Sequence, residues 1–367
     1  MDDANSMSKT DSPRWLLYGA TGYTGVLVAE RAVELGYPPI LAGRNADLLK
    51  PLAARLGLEY RAFPLDDVNE IARQIADVQI VYHAAGPFIH TSDPMIRACL
   101  ATRVHYLDIT GELAVFENTF RYDDAARKIG IALISGVGFD VIPTESLAYY
   151  VAAQVPGAQH LELALRAFGL RVSAGTLKSF MEMLPQGAQV RRQGRLESQP
   201  LGAGARRFVF AEGEEPTPAL PISWGDLITA YRSTGVPNIT VYLASPTLVI
   251  ALARIGGPAI SLALCSGVLR RAAGRLIDAV ARGPSASKRQ SDHVVILASA
   301  SDATGTRKTA RLVMPEGYQF TAWVALPVIL RTLELRPVGA LTPVMAFGPD
   351  FVLEIEGVQR QDDVAWV

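Results

Sequence analysis

Residues 15 to 29 read WLLYGATGYTGVLVA: a short apolar run, a septet with glycines at 19, 22 and 25, and a second apolar run at helical spacing. No other feature constrains the fold as much. Gly19 permits a tight turn out of the strand, Gly22 lets the main chain approach a pyrophosphate, and Gly25 lets the helix pack closely on the sheet. The N–H groups and dipole of the helix N-terminus, with the hydroxyls of Thr21 and Thr24 on either side of Tyr23, would then meet the phosphates. The expected element is the first β-α-β unit of a dinucleotide-binding sheet.

The pattern around the septet agrees with this. Strand-like runs at 15–18, 40–42, 60–63, 79–83, 105–108 and 131–134 alternate with helical patterns at 26–35, 46–56, 68–75, 94–101 and 116–128, with Gly36, Gly57 and Gly130 as stops. Nearly all-apolar strands in such an order predict a parallel sheet covered on both faces, hence an α/β, Rossmann-type domain over 14–140. After GFDVIPTE (138–145) comes one more helix, at 146–155, and then longer alternating runs at 161–168 and 208–211, a hairpin of 293–299 with 306–314 around DATG, and an apolar helix at 318–333. A second domain therefore begins near 141. The glycine- and arginine-rich segment 186–207 reads as a loop, poorly ordered or closing over a ligand. The polar residues 1–13 read as a disordered lead-in without the features of a secretory signal.

Composition excludes several classes. A net charge of −1, with no run of Lys or Arg, gives nothing to attract nucleic acid. Cys99 and Cys265 lie in apolar surroundings and form neither a disulfide framework nor a metal clip, so a reducing, cytoplasmic setting is expected. The five histidines show no ligand spacing, and no metal is expected. Residues 245–268 approach the length of a membrane span, but Arg254 and Gly256-Gly257-Pro258 divide them into two short halves. They read as a buried helix pair or an oligomer face, or else as a peripheral membrane contact or greasy substrate entrance.

The second strand runs ILAGRN, with Arg44 where NAD-binding sheets carry an acid for the ribose 2'-hydroxyl. A guanidinium suits a 2'-phosphate, so NADP (NADPH) is the expected cofactor, with Asn45 assisting. Asp66 stands either on the adenine side or as a helix cap. Ala85 and Gly86, in AAGPF at the end of the fourth strand, would pass under the ribose and nicotinamide. Pro87 and Phe88 would either wall the nicotinamide or serve as turn and core.

YGATGYTG, AGRN, AAGPF, YLDITGE (106–112), GFDVIPTE, SAGT (173–176), WGDLITAYRSTGVPN (224–238) and GALTPVMAFG (339–348), in this order, resemble the saccharopine dehydrogenase-like oxidoreductases. The resemblance is greatest to the branch that includes the trans-acting enoyl reductases of lipid and polyketide assembly. It implies an NADP-binding Rossmann domain and a second α+β domain at 141–338, with a mixed or antiparallel sheet that lines the substrate cleft and serves homodimerisation. It also implies that the segment 339–367 returns to the first domain.

Ligands of open α/β sheets bind at the carboxyl ends of the strands. Tyr106, Asp108 and Asp140 are therefore the candidates for proton donation or cofactor orientation, against roles in core, turn and hinge. Thr176 reads as an N-cap or a substrate contact. No evident basic cluster would hold the carboxylates of saccharopine, whereas the apolar 241–268 region suits a hydrophobic or carrier-bound acyl substrate. The leading expectation is an NADPH-dependent C=C reductase. The alternatives are an NADP-linked C=N reductase or amino-acid dehydrogenase, and a membrane-associated NADP-binding scaffold without turnover.

Overall fold

The computed structural model describes residues 12–168, 172–281 and 283–366; the expected lead-in lies, up to residue 11, outside the described residues. The strands in chain order are β1 (Trp15–Tyr18), β2 (Ile40–Gly43), β3 (Tyr60–Ala62), β4 (Ile80–His83), β5 (His105–Asp108), β6 (Ala132–Ile134), β7 (His160–Ala167), β8 (Ala188–Arg192), β9 (Arg195–Gln199), β10 (Arg206–Phe208), β11 (Thr217–Pro221), β12 (Asn238–Ala244), β13 (His293–Ser301), β14 (Arg307–Pro315), β15 (Gly339–Leu341) and β16 (Gln359–Asp362).

The first sheet is wholly parallel, in the order β15-β6-β5-β4-β1-β2-β3. Six of its strands follow the dinucleotide-binding order, and β15 adds a seventh at the β6 edge, with Gly339 opposite Ala132. Tyr18 lies between Ala42 and His83 in register, so the carboxyl ends of β1, β2 and β4 emerge together at the point where the strand order reverses. The second sheet is mixed. β12 and β7 are parallel, and its other pairings are antiparallel along β10-β11-β12-β7-β13-β14-β16, with β8 and β9 attached through β12. β16 pairs with β14, so the end of the chain crosses back to the second sheet after β15 has joined the first. One apolar core, including Val141, Trp224, Leu227 and Phe320, runs through both layers.

Several elements differ from the sequence reading, each for a local reason. Within 186–207, β8 and β9 form a hairpin closed at Gln193 and Gly194, whose φ values of 48° and 78° match the primed turn that suits strand twist. Arg191 is buried there, donating to the carbonyls of Leu227 and Gly194 at 2.6 Å and lying 4.0 Å over the Tyr231 ring. The helix expected from Pro94 starts earlier, as Phe88–Thr102, because its first N–H groups find a side-chain carboxylate. The helix expected over 116–128 is two, Leu113–Arg121 and Asp123–Ile129, broken at Tyr122. Residues 247–265 form one continuous helix instead of two halves, and its outward face is exposed instead of buried. Among the described residues no helix is long and apolar enough to cross a membrane.

Candidate active site

The septet makes the turn expected of it. Gly19 has φ +89°, and a Cβ on it would lie 2.7 Å from the Ala84 carbonyl carbon and 2.8 Å from the Ala85 nitrogen. Both the handedness and the space demand glycine. The N–H groups of Gly19 and Ala20 donate to the Ala42 carbonyl at 2.8 and 3.1 Å, tying the turn to β2. A Cβ on Gly25 would stand 2.2 Å from the Gly19 oxygen, so the helix Tyr23–Glu34 meets the turn in backbone contact. That helix has the exposed Gly22 at its N-cap, no side-chain cap and no acid in its first turn. Its bare donors, flanked by the half-buried Thr21 and Thr24, fit a pyrophosphate.

Tyr23 is a different case. Its hydroxyl donates to the Pro284 carbonyl and receives Arg289 Nη1 at 2.8 Å, while its ring stands edge-on to Tyr318 at 4.9 Å. The side chain thus ties the turn to the second domain, which leaves only its main chain for a cofactor. Arg44 is exposed just beyond β2 and makes no ion pair or hydrogen bond among the described residues. Asn45 Oδ1 caps the helix Ala46–Leu56, accepting from Asp47 and Leu48. Asp66 is exposed, and the cap of the next helix is Asp67, so the capping alternative for Asp66 falls away.

At the end of β4 the Ala85 carbonyl accepts from Thr91 Oγ1 at 2.7 Å, which leaves His83 Nε2 to donate to the same hydroxyl at 2.9 Å. Burial pushes His83 down to about 3, so this imidazole is neutral. Phe88 is buried against His83, a core residue and not a nicotinamide wall. Gly86 adjoins the helix Ala174–Met183, where a Cβ would lie 3.4 Å from Ser179 Oγ, and Pro87 lines a groove of about 280 Å³.

The acidic candidates separate by environment. Asp108 is fully buried and accepts from Thr110 N–H at 2.9 Å, Gly136 N–H at 3.1 Å and Ser135 Oγ at 2.7 Å. It ties β5 to the loop after β6, and burial lifts it to about 6 against those donors. Tyr106 is fully buried beside Met95 and Cys99, and burial raises its hydroxyl well above the usual range. Both are structural rather than proton donors to a ligand.

Asp140 is partly exposed. Its carboxylate makes no hydrogen bond among the described residues, and burial, with the Glu112 charge beside it, raises it to about 7. It packs on Gly111, where a Cβ would stand 2.9 Å from Oδ2.

Glu112, Ser179 and Tyr318 complete the cleft, and motif reading missed all three as site residues. Buried Glu112 accepts from the Phe88 and Ile89 N–H groups at 2.8 Å and from Ser179 Oγ at 2.6 Å, joining the domains across the strand ends. The Tyr318 hydroxyl accepts from Ser173 N–H and meets Thr176 Oγ1, each at 2.7 Å, and burial raises its pKa. Ser173 is the N-cap of its helix, so Thr176 is free of that role and belongs to the Tyr318 cluster. A signal for Glu112 was present in the sequence: it is a carboxylate two residues after a strand-end threonine, facing a strand end that finishes in a helix with no cap of its own.

A glycine cradle at the reversal of a parallel sheet, closed by a second domain that brings Asp140, Glu112 and Tyr318 to the strand ends, defines an NAD(P)-dependent oxidoreductase. Residues 15–134 match the family model of the saccharopine dehydrogenase NADP-binding domain. A trans-acting enoyl reductase of Mycobacterium tuberculosis (strain H37Rv) is 26% identical, covering 93% of this chain and 95% of that one. A trans-acting enoyl reductase of Mycobacterium leprae is 30% identical over 46% of this chain and 44% of its own. The apo saccharopine dehydrogenase (L-Glu forming) of Saccharomyces cerevisiae shares the fold, with a TM-score of 0.64 at 12% identity, covering 96% of this chain and 100% of that one. Over residues 15–134 the chain is thus similar to the NADP-binding domain of the saccharopine dehydrogenases, and over 93% of its length to a trans-acting enoyl reductase.

Proposed function

We propose that the protein is an NADPH-dependent enoyl reductase that saturates a C=C bond of a hydrophobic or carrier-bound acyl substrate, with Asp140 as its proton donor. The observation that carries the reading is the state of Asp140. It is a carboxyl group at the carboxyl ends of the sheet, without a hydrogen-bond partner among the described residues and raised to about 7, so that roughly half of it carries a proton at neutral pH. Homology to trans-acting enoyl reductases over 93% of the chain supports the C=C assignment.

NADPH, when bound, supplies the hydride that adds to the β-carbon. Its phosphates would rest on the Gly19–Gly25 turn and its 2'-phosphate on Arg44, which no carboxylate engages among the described residues. Asp140 then delivers the proton to the α-carbon from its carboxyl oxygen. The Glu112 charge adds to burial in raising Asp140, and Glu112 holds the Ser179 helix over the strand ends. Tyr318, bonded to Ser173 and Thr176, forms the opposite polar wall and orients the acyl carbonyl.

The test is NADPH oxidation with a panel of enoyl thioesters and cyclic imines, followed by the Asp140→Asn variant on whichever is turned over. Reduction of imines alone would replace this reading with the C=N alternative, and NADPH binding without oxidation on any panel would favour the scaffold.

A further inference from the structure

We propose that Tyr23 is a positioning residue for the reduction and acts through Tyr318: its ring holds the Tyr318 side chain, and with it the polar wall of the cleft, at a fixed place relative to the phosphate turn. The inference rests on the reductase reading above, in which the Tyr318 hydroxyl orients the acyl carbonyl.

Tyr23 is the first residue of the helix Tyr23–Glu34, directly after its N-cap Gly22, so its main chain belongs to the pyrophosphate cradle. Its side chain leaves the cradle and is fixed on three sides by the second domain. The hydroxyl donates to the Pro284 carbonyl and receives Arg289 Nη1 at 2.8 Å, and the same Nη1 donates to the Pro284 carbonyl at 3.1 Å. The main chain at Gly283 lies against the ring, where a Cβ would stand 2.5 Å from Cε2. The third side is Tyr318, edge-on at 4.9 Å with the ring planes at 81°. Phosphate binding by such a turn uses main-chain groups and asks for no tyrosine. The work of this side chain therefore lies with its partners in the second domain.

The main chain of Tyr318 is held independently of Tyr23. Glu316 caps its helix, accepting from the N–H groups of Tyr318 at 2.9 Å and Gln319 at 3.1 Å, and Gly317 packs on Phe139, where a Cβ would stand 3.0 Å from the ring. The direction of the Tyr318 side chain is set by the Tyr23 ring and, at the hydroxyl, by Ser173 N–H and Thr176 Oγ1 at 2.7 Å each. Having accepted from Ser173, the hydroxyl keeps one proton to donate, to Thr176 or to an acyl carbonyl. Loss of the Tyr23 ring would leave the helix in place and free the Tyr318 ring to swing, and a misplacement of about 1 Å in such a group can cost about a hundredfold in rate.

The test compares Tyr23→Leu, Tyr23→Phe, Tyr318→Phe and Tyr23→Leu/Tyr318→Phe with the parent. Three quantities are read: NADPH oxidation with a 2-enoyl thioester, calorimetric NADPH affinity, and hydrogen exchange at the Ser173 amide, which the Tyr318 hydroxyl covers. Tyr23→Leu keeps the N–H groups of the cradle, so NADPH affinity should stay within about twofold while kcat falls about tenfold to a hundredfold. Exchange at Ser173 should be about tenfold faster. Tyr23→Phe keeps the ring and loses only the hydroxyl bonds, and should lie between the parent and Tyr23→Leu in both rate and exchange. In the Tyr318→Phe background, Tyr23→Leu should cost less than about threefold more, because the group it positions is already gone. Additive losses in the double variant, or an NADPH affinity lowered as much as kcat, overturn the proposal. Should Tyr23→Leu fail to melt cooperatively, Tyr23→Phe and Arg289→Gln carry the test, and exchange at Ser173 unchanged in both overturns it. Exchange needs no turnover, so an inactive parent would sink the reductase reading and still leave exchange to decide whether Tyr23 holds Tyr318. Unchanged exchange in an active enzyme would sink this proposal alone.

Discussion

Replacing Arg44 with alanine removes a guanidinium that lies at the tip of β2, exposed and without a partner among the described residues. The fold loses no hydrogen bond or ion pair among the described residues by it, and its stability should change by less than about 0.5 kcal/mol. A charge-assisted hydrogen bond contributes about 1.5–3 kcal/mol, which corresponds to a dissociation constant for NADPH raised about tenfold to a hundredfold. NADH lacks the 2'-phosphate and should bind the variant as it binds the parent. Arg44→Asp should go further, adding repulsion of the phosphate and an acceptor for the ribose 2'-hydroxyl. Calorimetric titration of both cofactors at one fixed salt concentration checks this. Equal losses for NADPH and NADH, or no loss for either, would refute the argument that the end of β2 selects the cofactor.

Further outcomes follow from the same geometry. Gly25→Ala places a methyl 2.2 Å from the Gly19 oxygen and forces the helix off the turn, so NADPH affinity should fall more than about tenfold with a clear loss of thermal stability. Glu112→Ala orphans the N–H groups of Phe88 and Ile89 and should cost about 2–5 kcal/mol in denaturant unfolding; Ser179→Ala, which removes one of three donors, should cost less. Asp108→Asn leaves one acceptor oxygen for three donors and should lower stability by about 1–3 kcal/mol, while turnover per folded molecule stays within a few-fold.

Asp140 also predicts a pH dependence. Its folded pKa, about 7, lies above its unfolded value, so the folded state keeps a proton that the unfolded chain has lost. Its contribution to stability is therefore full below the unfolded pKa and is lost as pH rises through the folded one. Asp140→Asn should accordingly melt higher than the parent at pH 8, and the two should converge towards pH 4 in scanning calorimetry. A variant less stable at pH 8 would contradict the raised pKa.

Local periodicity carried much of the first domain. The helices at 46–56 and 68–75 match their expected bounds, because Asn45 and Asp67 cap them by side chain and Gly57 stops the first in a left-handed conformation. The DATG turn was equally legible, since Asp302 accepts from Thr304 and Thr306. What failed to read depended on distant partners. The early start of the helix at Phe88 needs Glu112, and β8–β9 needs β12 and a buried Arg191. Tyr23 sits in a phosphate-turn motif, yet its side chain is claimed by Pro284 and Arg289, more than 250 residues away in sequence. The cleft is the extreme case: Asp140, Tyr318 and the helix that carries Thr176 and Ser179 come from three separate segments, and only the docking of the second domain on the strand ends brings them together.

Asp140 as the proton donor is tested most directly by the rate of NADPH oxidation with a 2-enoyl thioester, followed across pH for the parent and for Asp140→Asn. Turnover by the parent should decline above about pH 7 as Asp140 loses its proton. The variant should lose at least about a hundredfold, with the decline gone and NADPH affinity unchanged. An Asp140→Asn enzyme that reduces the thioester at the parental rate would contradict it.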